Sequence, residues 1–149
     1  MLINARLAEL LSALATIDPV AQATGTITTG WISAANHERF LATVQTGLMG
    51  ASGTLDAKLQ QASDSAGTGV KDVTGKAIVQ ILKAAGDNKQ ALINLRAEEL
   101  DLANNFTFFR LSITVGTASS LISAVVQAGV AKNAPASSLN QAGVVQNIA

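Results

Sequence analysis

The sequence predicts a mainly β protein: an antiparallel β-sandwich or jelly-roll-like domain with a short N-terminal helix or arm and an extended C-terminal tail. Three observations predict it. After Pro19 the vocabulary shifts to Thr, Val, Ile, Gly and Gln, residues that suit pleated, half-buried surfaces and their turns. Clusters of Gly, Asn and Asp interrupt the chain about every ten residues, the rhythm of short strands joined by tight reversals. From Phe109 to Val115, apolar Phe109, Leu111, Ile113 and Val115 alternate with Arg110, Ser112 and Thr114, the period of a strand with one face in a core.

Taken in order, Ile3, Leu7, Leu10, Leu14 and Ile17 recur at alternating spacings of four and three. That spacing lines one stripe of a short helix ending before Asp18-Pro19. Strands are expected near Phe40 to Leu48, at Thr54 to Gln60, near Ala77 to Leu82, at Ala91 to Ala97, at Phe109 to Val115 and near Leu121 to Ala128. In the fourth of these Leu92 falls on the polar face with Asn94 and Arg96. Reversals are expected at Gly47, Gly50 and Gly53, at Asp64 to Gly69, at Gly86-Asp87-Asn88 and at Asn104-Asn105. The tail from Asn133 holds too many small residues to build a core, so it reads as an extended arm that docks on a neighbouring subunit. The expected organisation is an arm or helix over residues 1–20, a sandwich over 21–132 and a C-terminal arm over 133–149. No repeat with a period of about 20 to 50 residues stands out, which argues against solenoids and propellers.

Composition narrows the function. Of 149 residues, 48% are hydrophobic but only 3% aromatic, and the 13% that are charged are about half the usual share. A surface so poor in charge is either covered by neighbours or rich in Ser, Thr, Asn and Gln. Ten basic residues balance ten acidic ones, so no field concentrates phosphates or anionic lipid, and nucleic acid is disfavoured as a partner. The chain has no cysteine, hence neither disulfides nor thiolate metal sites. Its apolar runs are broken too early to span a bilayer. The opening MLINARLAELLSALA lacks the basic start of a secretory signal, so synthesis in the cytosol is expected.

No catalytic set can be assembled from the motifs. His37 is the only histidine, and it reads as a turn or strand-edge residue rather than a metal ligand. No serine sits in a G-x-S-x-G elbow; Gly50-Ala51-Ser52-Gly53 has the wrong spacing. Gly69 to Ala77 superficially resembles a phosphate-binding loop, but five residues separate Gly69 from Gly75 and Ala77 stands where a Ser or Thr would hold magnesium. A turn between strands is expected there instead. Gly67-Thr68-Gly69 begins like a dinucleotide fingerprint, but Asp72 takes the place of its third glycine. Asp64-Ser65-Ala66-Gly67 starts like a calcium loop, yet Ala66 lacks a ligand atom and Gly75 stands at the bidentate glutamate position. Glu98, Glu99 and Asp101 crowd three carboxylates together, which a solvated turn explains. Asn105-Phe106-Thr107 is a formal glycosylation triplet with no secretion signal to make it usable. The expectation is a protein that is not an enzyme and needs no cofactor or metal.

A resemblance gives that expectation a setting. Thr54-Leu55-Asp56-Ala57-Lys58-Leu59-Gln60-Gln61-Ala62-Ser63-Asp64, then Val70-Lys71-Asp72-Val73, and later Phe108-Phe109-Arg110-Leu111-Ser112-Ile113-Thr114 resemble strands of small head-associated proteins of tailed bacteriophages. The resemblance spans roughly residues 25 to 135 and implies a decoration or cement protein that binds the major capsid protein shell, with the virion as its location. Repeated capsid sites let a homo-oligomer, with a trimer favoured, use many modest contacts at once. Candidate interface residues are Leu7, Leu10, Leu14, Ile17, Trp31, Phe108, Leu139, Val144, Val145 and Ile148. A neck or tail ring is an alternative, to be separated by copy number: hundreds for decoration, about six to twelve for a ring. A carbohydrate or host-surface module is another, although one Trp and no Tyr offer it little.

Overall fold

The computed structural model describes residues 4–148, and ten strands dominate it. In chain order they are β1 (Leu11–Gln22), β2 (Gly25–Thr28), β3 (Ile32–Ser33), β4 (His37–Met49), β5 (Thr54–Ala62), β6 (Lys71–Ala77), β7 (Ile81–Leu82), β8 (Gln90–Arg96), β9 (Phe108–Gly116) and β10 (Ser120–Ala131). Two single-turn helices, α1 (Leu7–Leu10) and α2 (Lys83–Gly86), lie between or before them. One sheet runs β1-β10-β4-β8 and the other β2-β9-β5-β6, with β3 added to β9 and β7 to β5. Every pairing is antiparallel. A four-stranded and a six-stranded sheet whose main strands follow these two orders form a jelly roll.

Alternation explains the layers. Phe109, Leu111, Ile113 and Val115 of β9 and Leu55, Ala57 and Leu59 of β5 are buried from one sheet. Phe40, Ala42 and Val44 of β4, Ile122, Ala124, Val126 and Ala128 of β10, and Ile93 and Leu95 of β8 face them from the other. Phe40 and Phe109 join the sheets edge to face with ring centres 4.7 Å apart, a favoured aromatic geometry. The strands expected at Phe40, Thr54, Ala91, Phe109 and Leu121 all form, and Leu92 is exposed on the outer face of β8.

The N-terminal helix is corrected. Only Leu7–Leu10 make a helical turn; Leu11 onward is strand and passes through Asp18-Pro19. Ile3 lies outside the described residues. The helix-like spacing lost because β10 would otherwise present an open row of backbone groups, which β1 pairs from Leu11↔Gly129 to Gln22↔Ser120. Pro19 is tolerated because β1 is an edge strand with a register shift between Ile17 and Val20. Residues 11–20 therefore belong to the sandwich, not to an arm.

Two further expectations change. Ala77 to Leu82 is not one strand: β6 ends at Ala77, Val79 is exposed, and pairing with β5 resumes at Ile81. The segment from Lys71 to Ala77, expected as a turn, is itself β6, an edge strand whose bulge is built around Gly75 at φ 73°.

Candidate functional site

The turn at Leu7–Leu10 and the segment that follows β10 meet at one corner of the sandwich. After β10 the backbone returns through a 3-10 turn at Ala136–Leu139 and lies along the open edge of β1. The Ala13 amide donates to Asn140 Oδ1 at 2.8 Å, and the Gln141 amide donates to the Ala13 carbonyl at 2.8 Å. Ala136 is buried. The expected free C-terminal arm is thus corrected for its first half: residues 133–141 cover the edge of their own sheet, as an unpaired edge requires.

A buried polar latch fixes that return. Ser12 Oγ donates to the Ala136 carbonyl, so the hydroxyl's single proton is engaged there and His37 Nε2–H must donate to Ser12 Oγ, at 2.9 Å. A serine nucleophile needs the reverse, giving its proton to the imidazole. Both side chains are buried, and burial holds the imidazole below its ordinary pKa. His37 does stand at the first residue of β4, but as an interior member of the latch.

The acidic cluster disperses among partners. Glu99 accepts from the Arg96 amide at 2.8 Å and pairs Lys76 at 2.8 Å; Asp101 pairs Lys71; Glu98 pairs Arg96 at 3.3 Å. The Lys76 ammonium beside Glu99, and the Lys71 ammonium beside Asp101, hold these carboxyls below the usual range. Asp64 caps its own turn, accepting from the amides of Ala66 and Thr68 at 3.0 Å. Hydrogen bonds from Thr68 lead in lowering its pKa. Among the described residues no three His, Cys, Asp or Glu side chains converge on a point that could hold a metal ion.

The interface candidates separate by position. Leu14 packs on the sandwich's own core and Ile17 lies in it, which removes both from the candidate surface. Trp31 is half-buried, with the Arg110 guanidinium 4.5 Å from its ring centre. Its other constraint is Gly67 at φ 87°, where a Cβ would stand 2.6 Å from the indole nitrogen. Phe108 is half-buried, and Leu139 and Val144 are half-buried on the tail. Leu7, Leu10, Val145 and Ile148 are exposed. Two grooves flank α1. One of about 410 Å³ is lined by Leu7, Leu10, Leu11, Val130 and Ala134 together with Glu9, the other of about 290 Å³ by Leu7, Leu11 and Val144 together with the amides of Gln127, Asn140, Gln146 and Asn147.

A second surface was not anticipated. The outer face of the β1-β10-β4-β8 sheet carries the cross-strand row Ala13, Gln127, Leu41, Asn94, and next to it Thr16, Val125, Thr43, Leu92. Neither row contains a charge. Ser123 donates to Gln45 Oε1 at 3.3 Å in the following row, and Leu121 beyond it is exposed. The available signal was Leu121 to Ala128, where apolar residues occupy both parities and no charge marks a solvent side.

No family model and no curated protein sequence matches this chain. Solved structures similar to it include the cowpea mosaic virus top component, an empty particle. It is 11% identical, over 84% of this chain and 87% of that one, with a TM-score of 0.44. The SPBc2 prophage-derived protein YomS is 6% identical over 79% and 93% of the two chains, with a TM-score of 0.42. The CBM22-1 xylan-binding domain of Paenibacillus barcinonensis Xyn10C is 14% identical over 80% and 81%, with a TM-score of 0.40. These likenesses are of the β-sandwich architecture alone.

Proposed function

We propose that this chain is a structural subunit of a virion, decorating and stabilising a bacteriophage capsid by binding the major capsid protein shell as a homo-oligomer. The observation that carries the reading is the terminal corner. There Leu7, 68% exposed, lines both grooves and Val130, 58% exposed, lines one, while Val145 and Ile148 stand 89% and 86% exposed on the tail whose Val144 lines the other. Apolar side chains gathered in one place on a β domain favour burial against a partner. A capsid offers the same contact many times, so modest apolar contacts from each copy combine into firm attachment. Few charges need to be desolvated when such a surface docks. Exposed Val145 and Ile148 are the part of the tail left over after residues 133–141 have sealed their own edge.

In this reading the protein works on the capsid surface after synthesis in the host cytoplasm, without catalysis, cofactor, membrane or direct nucleic-acid contact. Shells lacking the protein, incubated with the purified chain and sedimented, should carry it down at saturable, fixed stoichiometry. Val145→Asp or Ile148→Asp should weaken that binding about tenfold or more, the cost of setting a charge into an apolar contact. A chain that stays in the supernatant at every shell concentration would end the proposal.

A further inference from the structure

We infer that the outer face of the β1-β10-β4-β8 sheet is a twofold self-association surface, on which a second copy of this chain docks face to face with Asp18 of each copy against Arg39 of the other. This deepens the assembly reading, on which it rests, by naming the homomeric partner and its symmetry.

The first observation is the distribution of charge. The central rows, through Val125 and Thr43, hold only small, apolar or amide side chains, while charge stands at two ends of the face. At one end Arg39 lies directly opposite Arg96 across β4 and β8, a like-charge pair that destabilises a sheet unless something compensates it. Arg96 reaches Glu98 at 3.3 Å, whereas Arg39 bonds only the Glu38 carbonyl and has no carboxylate partner among the described residues. At the other end Asp18 projects from β1 beside Ser123, Gln45 and Val125, held by the Thr16 hydroxyl at 3.1 Å. No cation pairs it among the described residues.

The second observation is where these ends fall. Arg39 is in register with Gly129, and Asp18 lies between Ile17↔Ala124 and the Val20↔Ile122 pair. The line joining them runs from β1 to Arg39 on β4 and crosses β10 between Val125 and Gln127. A twofold axis midway between the two copies, parallel to the sheet and perpendicular to that line at its middle, exchanges the ends, so the acid of one copy meets the base of the other twice. Such an isologous contact is self-complementary by construction. Its uncharged centre is the part that desolvates at least cost. Four strands at about 4.8 Å spacing and about ten residues at about 3.3 Å give a footprint on the order of 600 Å² per copy, the low end of specific interfaces.

Light scattering on the chromatographed full chain should report a dimer that dissociates on dilution. Asp18→Arg and Arg39→Asp should each weaken it about tenfold or more, and the double variant Asp18→Arg/Arg39→Asp should recover to within about threefold of the parent, the pattern of a coupled pair. Val125→Arg should give a folded monomer, judged by an unchanged circular-dichroism spectrum. A monomeric or trimeric parent, or a double variant no better than the singles, would overturn the twofold. Shell sedimentation separates the two ideas: a Val125→Arg monomer that still binds shells leaves the decoration reading intact, while a dimer that ignores shells sinks decoration alone.

Discussion

At the scale of single residues, the His37–Ser12 latch makes stability depend on pH in the window where a histidine titrates. His37 is the only histidine, and burial lowers its pKa in the folded chain. Above about pH 6.5 both folded and unfolded chains hold it neutral and the full stability is present. As the pH falls below that value the unfolded chain binds a proton that the folded chain resists, so stability declines until the folded pKa is passed. The paired carboxylates Asp72, Asp87, Glu99 and Asp101 have lowered pKa values as well, so their contribution is lost only in more acidic solution, below about pH 4. Melting temperatures should therefore drop between about pH 6.5 and 5 for the parent and stay level across that window in His37→Gln. Ser12→Ala should cost about 1–3 kcal/mol by urea unfolding, because it strands the buried imidazole N–H and the Ala136 carbonyl. The sequence placed His37 at a turn or strand edge, but Ser12 stood out in no way, since its partners are 25 and 124 residues away.

At the scale of elements, the contest between helix and strand over residues 3–17 shows what periodicity omits. Leu14 and Ile17 satisfy a helical stripe as well as they satisfy an edge strand with an irregular register, and only Leu7 and Leu10 keep a helical turn. The open flank of β10 decides for the strand, and nothing near residue 11 reports that flank. The alternation in β9 was legible because its two faces differ so sharply, Phe109, Leu111 and Ile113 being fully buried. The tail was half legible: its small residues do preclude a core of their own, yet they also let residues 133–141 lie flat on β1. Ending the chain after Lys132 should leave a folded sandwich that melts lower and aggregates faster, because the β1 edge and the latch are uncovered together. Thermal melts followed by turbidity check this, and an unchanged melting temperature would show that the tail does not seal the edge.

At the scale of the whole molecule, the topology ties the first strand to the last. Among the described residues the only ladder partner of β1 is β10, about a hundred positions later, and β10 also sits between β1 and β4 within its sheet. Strand rhythm and composition announced a sandwich, but they carry no information about which strands adjoin, so this closure could not be read in advance. Its consequence is that the first sheet cannot exist until nearly the whole chain is available. Loop-closure entropy then opposes folding before the reward of β10 pairing arrives, so folding should fall in the millisecond-to-second range of non-local β proteins. A chain ending at Ala118 lacks β10, leaving β1 with no neighbour and the inner faces of β4 and β9 without Ile122, Ala124, Val126 and Ala128. It should show no cooperative melt by circular dichroism, in contrast to the chain ending at Lys132, and a synthetic peptide of residues 119–148 should restore the transition when added. A cooperative transition in the shorter chain alone would mean that the sheet of β2, β5, β6 and β9 is an independent folding unit, which the shared core of the two layers argues against.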